Sequence, residues 1–140
     1  MNHLSKLLML GVVILCGCVS NHYKRGSGDA GQFIVQQAII RGGTPITTNN
    51  LPLVGGKWSY SEDQYGVVIH LPREKFLAVE SLLSVAFGQP MTKLSNTNNG
   101  VRFGAYRLTA KGGGIQFFCD EKETQVIIIR PLSKKSFLIR

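Results

Sequence analysis

Acidic residues are scarce in this 140-residue chain: eight Asp and Glu stand against sixteen Lys and Arg, for a formal net charge of +8. So few carboxylates leave little material for the opposed acid pair of glycoside hydrolysis. Glu62 and Asp63 are consecutive in a turn pattern, where both simply face water. Histidine and cysteine number three each, and no His, Cys or carboxylate cluster has metal-ligand spacing. No apolar run approaches the roughly 20 residues of a membrane-spanning helix. Gly112-Gly113-Gly114 is not a phosphate-cradling loop, because Lys111 precedes the glycines and a strand pattern follows them. It reads as a hairpin turn. Internal repeats are absent too, and neither a metal nor a cofactor is expected.

What is present begins at the N-terminus. MNHLSKLLMLGVV carries Lys6 ahead of an uncharged apolar run over residues 7–17, about half the length needed to span a bilayer. A basic start, a short apolar middle and a small residue before the cut describe a secretory signal peptide. Two of the cysteines lie in ILCGCVS, and Leu15-Cys16-Gly17-Cys18 resembles the lipobox of bacterial lipoproteins. That resemblance implies removal of residues 1–17 and a diacylglyceride on the Cys18 sulfur. Modification at Cys16 would need small residues where Ile14 and Leu15 stand. A metal or redox pair would lack the polar partners that orient such ligands. Two or more acyl chains hold a protein firmly, where one holds it marginally. Val19 stands where an Asp tends to retain enterobacterial lipoproteins in the inner membrane, so the expected place is the outer membrane, facing the periplasm. With Cys18 lipidated, Cys119 is the one ordinary cysteine and no intramolecular disulfide can form, although the compartment is oxidising. Its setting, IQFFC, predicts a buried, inert thiol.

A positive balance at a membrane favours anionic neighbours: lipid headgroups, lipopolysaccharide phosphates or acidic protein surfaces. The envelope address argues against nucleic acid. Arg130, Lys134, Lys135 and Arg140 form an acid-free tail, readable as a binding element or as plain solvation. Trp58, Tyr60 and Tyr65 bracket one hairpin, and large amphipathic rings often anchor interfaces. The competing reading is that Trp58 and Tyr60 cover the sheet.

Along the chain, residues 18–31 read as the lipidated N-terminus and a polar, glycine-rich tether, and residues 32–140 as one domain. FIVQQAIIR, residues 33–41, is too short to type: Asp29 could cap a helix there, and a strand fits nearly as well. GGTPITTNNLPLVGG reads as loop. Trp58 and Tyr60 share a strand face, SEDQYG turns, and VVIHL is β-branched. Pro72 and Glu74 suit a helix start, while Gly88 and Pro90 stop it. Phe76, Val79, Leu83, Ala86 and Phe87, with Leu82 beside them, fall on one side of that helix. After the loop MTKLSNTNNG, three strands follow in VRFGAYRL, IQFFC and QVIIIR, joined by short polar turns. The expectation is a two-layer α+β domain, β-β-α-β-β-β, with four to five antiparallel strands and one long amphipathic helix packed on them.

The helix ending FGQP, the aromatic strand and the two hairpin-linked strands finishing before Pro131 are similar to the SmpA/OmlA family of small outer-membrane lipoproteins. The likeness covers residues 72–131 plus the lipobox. It departs at HLPREK, where the family's helix usually opens on a Gly-Met-Thr type start, and an extra aromatic hairpin precedes the helix. The resemblance implies a non-enzymatic scaffold that touches protein and anionic lipid. The expectation is therefore a lipid-anchored, non-enzymatic envelope protein that binds a partner protein or an anionic envelope component. The alternative is a small envelope hydrolase or inhibitor-type module with a pocket beside the helix, for which a Cys119–His70 nucleophile pair would be the candidate machinery.

Overall fold

A computed structural model describes residues 23–96 and 101–131. One antiparallel sheet of seven strands organises them: β1 Lys24–Arg25, β2 Ser59–Glu62, β3 Gly66–Pro72, β4 Thr92–Asn96, β5 Val101–Thr109, β6 Gly112–Cys119 and β7 Glu123–Ile129. Their order across the sheet is β1-β2-β3-β7-β6-β5-β4. Helix α1, Ala30–Ile40, joins β1 to β2, and helix α2, Phe76–Phe87, carries the chain from β3 to the far edge at β4. The meander β4 to β7 then returns to the middle of the sheet.

This corrects the expected architecture of four to five strands under one long helix. Among the described residues there are seven strands and two short helices, the second entered through a 3-10 turn at Arg73–Lys75. Both extra strands are sheet edges. β1 is two residues within what reads as tether, and β4 (TKLSN) lies within what reads as loop. An edge strand pairs on one side only and need not alternate apolar with polar residues, so its pattern is weak. Residues 23–31 are thus part of the folded unit, with Lys24 opposite Tyr60 and Arg25 opposite Ser59.

Asp29 settles what residues 33–41 become. Its carboxylate accepts from the Gly31 and Gln32 amides at 3.1 and 3.2 Å, capping α1. It also accepts from the buried Val54 amide at 2.7 Å, while the Ala30 amide donates to the Val54 carbonyl at 3.0 Å. One side chain therefore starts the helix and pins the 42–57 loop to it. Asp29→Ala is expected to lower stability by about 2 kcal/mol in denaturant unfolding, with Asp29→Asn retaining most of it.

The register fixes the faces. Ile69, Val126, Phe117 and Gly104 lie in one cross-strand row, and Leu71, Thr124 and Cys119 in a second row on the same face. Both helices cover this face. Ile34, Val35 and Ala38 of α1 and Phe76, Val79, Leu82, Leu83 and Ala86 of α2 join it in one core. Gly88, at φ 81°, ends α2 in a conformation that glycine adopts without strain. The opposite face carries His70, Gln125, Phe118 and Phe103 in one row, with Val68 and Ile127 in the next. None of the described helices is long and apolar enough to cross a membrane.

Candidate functional site

A cavity of about 540 Å³ opens at the end of the sheet where β1, β2 and β3 meet the β6–β7 turn. Arg25, Lys57, Lys122, Ser59, His70 and Glu123 supply its polar lining, and Trp58, Leu71 and Pro72 its apolar wall. Each cation is placed by local chemistry. Arg25 is fixed by the β1–β2 ladder. Lys57 immediately precedes Trp58, whose indole N–H donates to the Gly28 carbonyl at 3.0 Å. Gly26 lies flat on that indole: a Cβ at position 26 would fall 2.0 Å from the ring, and the Gly26 amide donates to the Trp58 carbonyl at 2.8 Å. Only glycine leaves room for this contact. Lys122 rides on a turn whose Lys122 and Glu123 amides donate to Asp120 Oδ1 at 2.7 and 2.9 Å.

The lining is unbalanced in charge. Three cations face one carboxylate, Glu123, and that carboxylate is already engaged. His70 Nδ1 lies 3.1 Å from it, and the Gln125 amide donates to the same oxygen. Among the described residues, no carboxylate pairs with Arg25, Lys57 or Lys122. The Lys75 side chain comes close to Gly56 but is not part of the cavity lining. Tyr23 packs edge-on against the His70 ring at 5.0 Å, and His70 Nε2 is buried with no hydrogen-bond partner among the described residues.

The residues singled out in the sequence are distributed over the molecule. Cys18, Lys134 and Lys135 lie outside the described residues. Trp58, only 6% exposed, belongs to the core and packs on Phe33 at 4.8 Å; the partly buried Tyr60 packs on the same ring at 4.6 Å. Tyr65 is exposed at the opposite end of the hairpin, under the Arg130 guanidinium at 5.7 Å. Trp58 alone of this set lines the cavity. Cys119 and His70 are not brought together. Cys119 is opposite Thr124 and His70 opposite Gln125, adjacent residues of β7, so their side chains leave opposite faces of the sheet. No group of three His, Cys, Asp or Glu among the described residues could hold a metal.

A second cavity, about 260 Å³, lies beside α2 and is lined by Glu80, Ser81, Ser84, Lys93, Tyr106 and Phe117, among others. Glu80 pairs with Lys93 at 3.4 Å, and the Tyr106 hydroxyl donates to the Gly88 carbonyl at 2.9 Å. Burial, and then the Glu80 charge, push the Tyr106 phenol up from 10.0 to about 12. The unfolded chain therefore loses this proton first, so stability is complete below pH 10 and falls as the pH rises towards 12. Tyr106→Phe is expected to flatten that alkaline decline, read as melting temperature against pH. Burial likewise pushes the Arg41 guanidinium down, opposed by the charges of Glu62 and Asp63.

The cations of the first cavity were invisible in the sequence because Arg25, Lys57 and Lys122 sit on three separate elements that only strand register assembles. Their one signal was the overall excess of positive charge. Comparison with family models, with curated proteins and with solved structures finds no match.

Proposed function

We propose that this chain is a lipid-anchored, non-enzymatic binding module of the bacterial envelope, attached through Cys18 and engaging an anionic component there. The observation that carries the binding half is the cavity in which Arg25, Lys57 and Lys122 face a single, already engaged carboxylate. The anchoring half rests on Leu15-Cys16-Gly17-Cys18. An acyl-anchored domain with a basic cavity near the first of its described residues meets anionic groups at the membrane surface. Separation of Cys119 from His70 by the sheet supports a binding role over thiol chemistry.

Two measurements test this. Cys18→Ala is expected to abolish incorporation of labelled fatty acid and to move the protein out of the membrane fraction. Soluble recovery of the unaltered chain would end the anchoring half. Crosslinking in intact envelopes is expected to capture an anionic component or a partner protein with an acidic surface, through Lys57 or Lys122.

The second reading, a small hydrolase or inhibitor-type module, draws on the cavity beside α2, where Ser81 and Ser84 stand near Glu80. A serine nucleophile needs an adjacent base, and the described lining there holds no histidine. Ester or amide hydrolysis by the full chain, abolished by Ser81→Ala or Ser84→Ala, would favour it.

A further inference from the structure

We infer that the cavity at Arg25, Lys57 and Lys122 binds a phosphate monoester dianion. This deepens the binding role proposed above and rests on it for biological context only. The charge count selects the ligand. Three lining cations less the Glu123 carboxylate leave two uncompensated positive charges, which a doubly charged phosphate monoester neutralises. A carboxylate or a phosphodiester brings one charge and leaves the other unpaired. Lysine ammonium and arginine guanidinium groups also suit the tetrahedral set of acceptor oxygens, Arg through two parallel N–H donors.

The volume argues for more than a bare anion. About 540 Å³ exceeds what phosphate alone fills, and cavities of this size accommodate small organic ligands. Leu71 and Pro72 give the carbon skeleton of an ester an apolar wall, with Ser59 beside them. His70 and Gln125 hold the Glu123 carboxylate, so the one acidic group in the lining is tied into side-chain contacts. The phosphate can belong to a soluble ester or to a lipid headgroup, and both present the same group to the same cations.

Trp58 is the only tryptophan in the chain and lines this cavity, so its fluorescence reports occupancy. The purified full chain in neutral detergent is titrated with inorganic phosphate, glycerol 3-phosphate and dihexanoyl phosphatidic acid, with sodium chloride at matched ionic strength as control. A saturable emission change with the phosphates and none with chloride is expected. Lys57→Ala and Lys122→Ala should each weaken binding about tenfold, whereas Lys93→Ala, at the far edge of the sheet, should leave it unchanged. Both cavity lysines are exposed, so the variants should keep the parent melting temperature.

Binding of glycerol 3-phosphate as tight as or tighter than that of phosphatidic acid shows that the acyl chains add nothing and that the site reads a phosphate ester free of lipid. A response confined to phosphatidic acid assigns it to a headgroup. Either outcome keeps the phosphate site. Absence of a saturable response, or a response indifferent to Lys57 and Lys122, overturns it. Failure of lipid attachment at Cys18 would leave the titration untouched, because the probes are supplied in solution. Failure of the titration with continued capture of another anionic component would remove the ligand assignment and spare the binding module.

Discussion

Trp58→Ala is expected to lower stability by roughly 3–5 kcal/mol, the range for deleting a large buried aromatic. The ring is 6% exposed and holds together parts distant in sequence. Gly26 rests on its face, its N–H donates to Gly28, Phe33 of α1 packs at 4.8 Å and Tyr60 of β2 at 5.8 Å. Without the indole, the strand Lys24–Arg25 keeps its two-residue ladder but loses the surface behind it. Trypsin cleavage after Lys24 or Arg25 should therefore accelerate under native conditions. Trp58→Phe restores most of the apolar contact and lacks the N–H donor, so it should recover more than half the loss. Unfolding followed by circular dichroism measures both, since the variants lose the only tryptophan signal. A loss below about 1 kcal/mol, within the range of an ordinary surface substitution or little beyond it, would contradict the role assigned to this ring.

The second large effect is expected at Gly104. A Cβ there would fall 2.2 Å from Phe117 Cζ and 2.4 Å from its Cε1. Phe117 is 1% exposed, stacked against Phe76 at 5.5 Å and Tyr106 at 6.1 Å, so the ring has nowhere to retreat. Gly104→Ala should cost roughly 1–3 kcal/mol, as overpacking of a filled core does. Phe117→Leu is itself destabilising because it leaves unfilled volume, but it removes the atoms that the new methyl strikes. The double variant should therefore be more stable than the sum of the two losses predicts, with a coupling of about 0.5–3 kcal/mol between neighbours. Strict additivity would show that the clash is relieved elsewhere, by movement of β5 away from β6.

How much of this was legible follows from where each residue sits. The buried side of α2, Phe76, Val79, Leu83 and Ala86, could be read directly because a helix on one sheet face has a single apolar stripe. VRFGAYRL alternates for the same kind of reason: Gly104, Tyr106 and Leu108 are buried while Arg102 and Arg107 are exposed. QVIII reads as an unbroken apolar run because β7 lies between β3 and β6 with both faces shielded. The sheet edges lacked any such signal. TKLSN pairs along one side only, with Leu94 62% exposed, and two residues cannot show a period at all. That is why the expected sheet was too small. α1 was ambiguous because its stripe is short, and what decides it is the contact between Asp29 and Val54 across the following loop. The candidate site was the least readable part. Lysines and an arginine on the surface carry no period, and their meeting depends on the Arg25–Ser59–His70 register.

The pairing of Lys24–Arg25 at the sheet edge has a mechanical meaning under the anchoring proposed above. With Cys18 as the proposed point of attachment, Tyr23 is already packed against His70. Five residues, fully stretched, span at most about 18 Å, roughly two and a half to three and a half times the depth of a lipid headgroup layer. The domain is then on a short leash. Under the proposed anchoring, the β1 end would be held close to the membrane surface, and a ligand beyond that layer would have to come to it.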